Sequence, residues 1–383
     1  MDLMRFDFGR PSGQQPLEKK QPKIDSFTVT RSCSADRANH LNKLISKMIV
    51  EDLRPVSIVD GNGFRELMGF CEPGYNLPHR TFFTSQLEQM FVSLKSNVKK
   101  QMASSDAVSL TADVWTSSVN ESYLSVTAHF INEKWKLQRR VLACMPVDER
   151  HTGDNISSWL QQTVQAYDLP MHKIVALVHD NGSNIVAAAK KLENANKPQW
   201  ASVRCAAHTL QLVIHAAPQC NTTITESLTA ARRVVEFFKR SELATTSLHK
   251  VQKQMSMKDH QLVMEVSTRW NSTLYMIDRL IEQRWPVSVV LMEKAADSRK
   301  ATASLSDTQW EVLSNLKSLL KPFEVATTFL SGEAYVTASV VPSLIMGLCS
   351  KMQAATGDET YVTDFKHTAL SKLSARWPIL YTC

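Results

Sequence analysis

No stretch of this 383-residue sequence approaches the roughly 18 consecutive apolar residues that a membrane-spanning helix needs, so no membrane partner is expected. No Cys-x-x-Cys pair occurs, which leaves a four-ligand structural zinc site without its usual nucleus. The seven cysteines are odd in number and scattered, with no signal peptide ahead of them, and a disulfide framework is not expected. Neither sign of charge dominates: 44 Lys and Arg against 37 Asp and Glu give a formal net charge of +7, which permits a polyanionic partner without demanding one. No internal repeat of fixed period is found. What remains is ordinary globular usage, 43% hydrophobic and 21% charged, in a chain long enough for two or three domains with a sizeable core.

Residues 1–33 mix Pro, Gly, Gln and Lys without an apolar period, as a disordered tail does. Over 34–104, Leu41, Leu44, Ile45, Met48 and Ile49 fall at helical spacing, Pro55, Gly61 and Gly63 break the pattern, and a long helix follows the segment CEPGYNLPHR. This predicts a small helical module. Over 105–218 the pattern alternates. AVSLTADVW, YLSVTAHFIN and KLQRRVLACMPV read as three strands, HTGDNISSWLQQTVQAYDL as an amphipathic helix and KIVALVHD as a fourth, buried strand. NGSNIVAAAKKLE then reads as a helix, WASVRCAAH as a short fifth strand, and HTLQLVIHAA as a helix starting near His208. Three strands, a helix, a strand, a helix, a strand and a helix give the order of the ribonuclease H-like fold, whose strand-end acids gather at one edge of a mixed sheet. Over 219–383 every apolar stretch has a three-to-four residue period, which predicts an all-helical second domain.

Asp113 in LTADVWTSS and Asp180 in IVALVHDNGSN each end a strand-like run and open a Ser-, Asn- and Thr-rich turn. Taken singly, Asp113 can cap the turn formed with Thr116, Ser117 and Ser118, and Asp180 can form an Asx turn ahead of a helix at Ser183 or Asn184. Taken as a pair on the first and fourth strands, they can hold Mg²⁺, an ion that favours oxygen ligands and activates phosphodiester chemistry. That chemistry needs a third acid, and the helix after the fifth strand, CAAHTLQLVIHAAPQ, contains none. Cys205 and His208 have the spacing of half a zinc site, or are a buried thiol and a helix-starting imidazole. Arg269 and Trp270 in STRWNST are an ordinary packed Trp with its neighbour, or a base-stacking platform beside a phosphate contact, set in a polar turn between helices.

LTADVWTSS, HDNGSN, RCAAHTLQL and STRWNST, in this order and spacing, resemble the hAT superfamily of DNA transposases, in particular the domesticated branch that carries a BED-type zinc finger. The resemblance runs from about residue 34 to about 350 and takes in the helical segment before the core. It implies a ribonuclease H-like mixed-sheet core interrupted by an all-helical insertion domain, an α/β plus α architecture with a small N-terminal helical module. It also implies that Asp113 and Asp180 match the first two acids of an Asp/Asp/Glu triad, and that Cys205 and His208 match a motif near the DNA-contacting edge. Trp270, with Arg269, matches a tryptophan that holds a flipped base. The family's catalytic Glu and dimerisation region lie beyond the insertion domain and its BED finger lies ahead of the core, so this chain is read as truncated at both ends. Glu311, Glu324 and Glu333 sit in helical or turn contexts that do not suit the third acid. The expected function is that of a nuclear, transposase-derived protein that binds DNA, has lost cleavage and acts in transcription. The alternatives are a Mg²⁺-dependent transposase, and an interaction scaffold with no nucleic-acid contact.

Overall fold

The computed structural model describes residues 33–195, 200–266, 269–297, 303–332 and 335–378. The tail expected over 1–33 lies outside these residues except for Cys33, and so does Glu333. The chain divides into two compact units, 1–95 and 96–383.

The first unit is helical. Its α1 (Ala35–Glu51) starts where the Ser34 side chain accepts from the Arg37 N–H, which satisfies one of the unpaired donors of a helix start. Ile45 and Ile49 on α1 pack with Val59, Tyr75 and Phe83 into a small core. The helix α2 (Asn62–Cys71) buries no residue fully. Phe83 sits in the first turn of α3 (Arg80–Ser104), whose last residues belong to the second unit.

The second unit opens with three antiparallel strands, β1 (Val108–Thr116), β2 (Ser122–Ile131) and β3 (Leu137–Pro146). The helix α4 (Gly153–Ala166), capped by Thr152, leads to β4 (Ile174–His179), then α5 (Ser183–Ala195), β5 (Ala201–Arg204) and α6 (Ala206–Ala216). The strands lie in the order β3-β2-β1-β4-β5, with β4 parallel to both β1 and β5. This is the ribonuclease H-like arrangement that the sequence order predicts.

One face of the sheet is closed. Val108, Leu110 and Ala112 of β1, Leu124, Val126 and Ala128 of β2, and Ile174 and Leu177 of β4 pack with Ile156, Leu160 and Val164 of α4 and Ile185, Ala189 and Leu192 of α5. Gly153 lets α4 approach α5 closely, since a Cβ there would meet the Ala187 Cβ at 2.9 Å. On the opposite face β1, β2 and β3 present Ser109, Thr111, Thr127 and Val141, and Val141 is 65% exposed.

Among the described residues seven further α-helices follow: α7 (Thr222–Arg240), α8 (Glu242–Gln254), α9 (Trp270–Glu282), α10 (Arg284–Asp297), α11 (Asp307–Leu330), α12 (Val341–Lys351) and α13 (Thr360–Arg376). They share a core of their own to which α6 contributes Leu210, Val213 and Ile214. The continuous helical period over 274–291 is cut at Gln283, where α9 ends and Pro286 falls in the first turn of α10, a position that needs no N–H. Pro322, by contrast, sits inside an unbroken α11. No helix among the described residues is long and apolar enough to cross a membrane.

Candidate functional site: a carboxylate pair at the sheet corner

Asp113 and Asp180 meet because β1 and β4 run parallel. Their register ends on the pair Ala112 and His179, so the next residues, Asp113 and Asp180, stand opposite each other. The register of β4 with β5 ends on His179 and Arg204, which puts Cys205 beside Asp180, and Ser125 of β2 pairs with Asp113 on the other side. Side chains alternate along a strand, and Ala112 and Leu177 face the closed core. Asp113 and Asp180 therefore lie on the opposite, open face, in a row Ser125, Asp113, Asp180, Cys205.

The electrostatics agree with this placement. Partial burial pushes the Asp113 carboxyl above its ordinary range, the negative charge of Asp180 adds to the shift, and the Val114 backbone and the imidazole of His208 oppose it. Asp113 thus senses both Asp180 and His208. A carboxylate whose ionised form is raised in energy by a neighbouring carboxylate invites a cation between them.

Asp180 is held by its own turn. One of its oxygens accepts from the Gly182 N–H at 2.9 Å, the Asx turn that its sequence context offers. Behind it, His179 is 2% exposed. Its Nδ1 lies 2.6 Å from the Asp180 carbonyl oxygen and its Nε2 lies 3.0 Å from the Ser202 Oγ, which ties the end of β4 to β5. Burial holds this imidazole below its usual range, in its neutral form. Asn181 donates to the Thr209 Oγ1 at 3.1 Å, and that hydroxyl donates to the Cys205 carbonyl at 2.8 Å. Sequence reasoning passed over His179, Asn181 and Thr209. Their one signal is the alternation of β4, which places His179 two residues after Leu177 on the inward face.

Cys205 is the residue before α6, and its N–H donates to the His179 carbonyl at 2.6 Å. It therefore joins β5 to α6, and His208 follows in the first turn, half-buried. The structure brings Asp113, Asp180, Cys205 and His208 to one corner. Among the described residues, no group of three or more His, Cys, Asp and Glu side chains is arranged to hold a metal ion.

Arg269 and Trp270 are placed differently from the polar turn that their sequence suggests. Trp270 is the first residue of α9 and only 3% exposed, packed in the helical core with Leu274 and Ile277. Its ring has no free face for a nucleobase in this arrangement. A hydrophobic residue at the start of an amphipathic helix belongs to the buried stripe, however polar its neighbours. Arg269 is exposed ahead of it, and its carbonyl accepts from the Ser272 hydroxyl at 2.6 Å. Glu311 is exposed on α11, and Glu324, on the same helix, is paired with Lys321 at 2.9 Å.

Comparison with known proteins follows the same division. The ZBED1 RNase-like domain family matches residues 111–203, and the ZBED1 RNase-like helical domain family matches residues 203–319. The junction at 203 falls within β5, just before the chain leaves the sheet for α6. The human Zinc finger BED domain-containing protein 4 is 28% identical over 353 residues, covering 88% of this chain and 29% of its own length. The Putative AC transposase of Zea mays is 27% identical over 349 residues, covering 88% of this chain and 42% of its own length. The Putative transcriptional regulator tpeD of Talaromyces stipitatus is 23% identical over 320 residues, covering 74% of this chain and 37% of its own length. The chain thus spans between 29% and 42% of the length of these relatives.

Proposed function

The chain belongs to the hAT-type, transposase-derived family of BED zinc-finger proteins, and from that premise we propose that it is a nuclear DNA-binding protein that no longer cuts DNA and acts in transcriptional control. The observation that carries the DNA-directed part is the β1–β4 register, which ends on Ala112 and His179 and so brings the next residues, Asp113 and Asp180, together on the open face of the sheet. A carboxylate pair at the point where two parallel strands part is suited to a divalent cation that in turn meets a phosphodiester. The two side chains fit one Mg²⁺: both offer oxygen, they stand in adjacent register positions, and the charge of Asp180 disfavours ionisation of Asp113 until a cation is shared. Bound there, the ion would neutralise a phosphate and leave most of its coordination positions to water and DNA.

The residues around the pair support loss of cleavage. Two-metal strand transfer needs enough carboxylates to fix both ions, and here the flanking positions are Ser125 and Cys205, followed by Ala206, Ala207 and His208 in the first turn of α6. What this set can do is bind and orient. Asp180 is fixed by its Asx turn, His179 locks β4 to β5, and His208 brings a second nitrogen to the corner.

The test is an incubation of the 383-residue chain with a labelled duplex and a hairpin-ended duplex, in Mg²⁺ and in Mn²⁺. Binding without strand scission is expected, with log affinity falling linearly against log salt. Cleavage that disappears in Asp113→Asn would establish the transposase alternative instead. Absence of any salt-dependent binding would favour a scaffold without nucleic-acid contact.

A further inference from the structure

The sheet builds the same five-residue turn twice and fills it differently. Between β1 and β2, Ser117 donates its N–H to the Glu121 carbonyl at 2.7 Å, Asn120 donates to the Ser117 carbonyl at 3.0 Å, and Asn120 takes the left-handed conformation at φ 64°. Between β2 and β3, Asn132 donates to the Lys136 carbonyl at 3.0 Å, Trp135 donates to the Asn132 carbonyl at 2.8 Å, and the left-handed position, at φ 55°, falls to Trp135. Asn tolerates that conformation, whereas a bulky side chain holds it only against a steric cost. Packing does not offset the cost, since Trp135 is 87% exposed.

The turn holds this indole in a fixed place. The Oδ1 of Asn132 accepts from the Lys134 N–H at 3.1 Å and from the Lys136 N–H at 3.0 Å, which pins the backbone on both sides of Trp135. Lys134 and Lys136 are exposed, and neither is in an ion pair among the described residues. Positive charge continues onto the sheet, where Arg139, two residues before Val141 on β3, stands exposed on the open face opposite His129. An unpacked aromatic ring set between two ammonium groups thus occupies the end of the sheet away from Asp113.

We propose that this turn is a contact for single-stranded DNA, in which the indole of Trp135 stacks on an unpaired base and Lys134 and Lys136 meet the phosphates on either side of it. The proposal rests on the DNA-binding reading and adds to it a second contact, remote from the carboxylates. A base offers its π-face only when it is unstacked, so a lone indole favours single strand over duplex, whatever the sequence. A membrane surface asks for a broader apolar face than one side chain in a turn whose other four residues are Asn, Glu and two Lys. Register gives the spacing. Asp113 pairs with Ser125, and β2 continues from there to Ile131 before the turn, about 20 Å of strand. At the 3.4 Å spacing of a stacked strand that is about six nucleotides between the two contacts.

The experiment compares the 383-residue chain with Trp135→Ala, Trp135→Phe, Trp135→Gly, Lys134→Gln and Lys136→Gln. It measures binding of a fluorescent blunt duplex, and of the same duplex with a single-stranded tail of roughly 12 nucleotides, across a salt series, together with thermal midpoints. Trp135→Ala is expected to weaken binding of the tailed duplex about tenfold and to change binding of the blunt duplex by less than about twofold, and Trp135→Phe to recover most of the loss. Each Lys variant should flatten the log–log salt slope for the tailed duplex by about 0.7. Trp135→Gly should lose as much affinity as Trp135→Ala yet keep or raise the thermal midpoint, because glycine takes the left-handed position without steric cost. Parent-like affinity for the tailed duplex in Trp135→Ala, or a lowered midpoint in Trp135→Gly, would overturn the stacking contact and leave the DNA reading standing. Equal losses on blunt and tailed duplex would overturn the single-strand assignment. Binding to phosphatidylserine vesicles that depends on Trp135, with no preference for the tailed duplex, would assign the turn to a membrane surface instead. A parent chain that binds neither DNA would overturn both the contact and the DNA reading.

Discussion

On one face of the sheet, Val108, Leu110 and Leu177 are fully closed off beneath α4 and α5, while on the other face the same strands carry Ser109, Thr111, Asp113 and the exposed Val141. The helical core repeats the closed pattern, and Trp270 belongs to it. Closed regions hold the fold through burial, worth roughly 1.5–3 kcal/mol for each large apolar side chain. The open corner spends its side chains on oxygen and nitrogen groups whose partners among the described residues are only partly supplied from within: a carboxylate pair and the buried Oδ1 of Asn181. Residues of the first kind should move stability when changed. Residues of the second kind should move binding, and their removal should leave stability unchanged or improve it.

The sharpest way to break this division is Trp270, which the family resemblance assigns to DNA and the packing assigns to the core. Trp270→Ala is expected to cost about 3–5 kcal/mol of stability, as for other buried aromatic truncations. Urea or thermal unfolding measures it, and a DNA-binding loss with no change in stability would return Trp270 to the open class. A smaller contrast compares the two sheet faces directly. Leu110→Ala is expected to cost about 2–5 kcal/mol, and Val141→Ala about 0.5 kcal/mol or less. Equal losses at the two positions would mean that the open face is covered in solution.

The sequence shows the sheet corner well and the helical core poorly, for a physical reason. Strand alternation is local, so the runs ending at Asp113 and Asp180 could be read directly, and the order of strands and helices then implied that β1 and β4 are parallel neighbours. Opposition of the two acids requires the register, which depends on a shift between Val108 and Ser109 that no local pattern announces. For Trp270 the packed reading was one of the two that the sequence offered, and it is the one that burial with Leu274 and Ile277 on one helix face matches. The break at Gln283 was signalled by Pro286, but a helical period continuing through it hid the stop.

An effect smaller than either core truncation examines the open corner most directly. Asp113 has its carboxyl pushed up by partial burial first and by Asp180 second, so its ionised form is less stable in the folded chain than in the unfolded one. A carboxyl raised in this way binds its proton more tightly when folded, and stability falls as pH rises from the unfolded carboxyl range through the folded one. Above that window the cost is constant, and below it the cost vanishes. Asp113→Asn removes the charge and keeps the shape, so it should stabilise the metal-free chain near pH 7 by about 0.5–1 kcal/mol, a modest figure because solvent reaches the site. The gain should shrink towards zero as the pH approaches about 3, below the ordinary Asp pKa of about 3.9. Unfolding midpoints of the two proteins across that range provide the measurement. Added Mg²⁺ should stabilise the parent chain and leave Asp113→Asn unaffected, which reverses their order. A variant less stable than the parent at every pH would show Asp113 to be a structural residue of β1, and the corner would then belong with the closed regions of the fold.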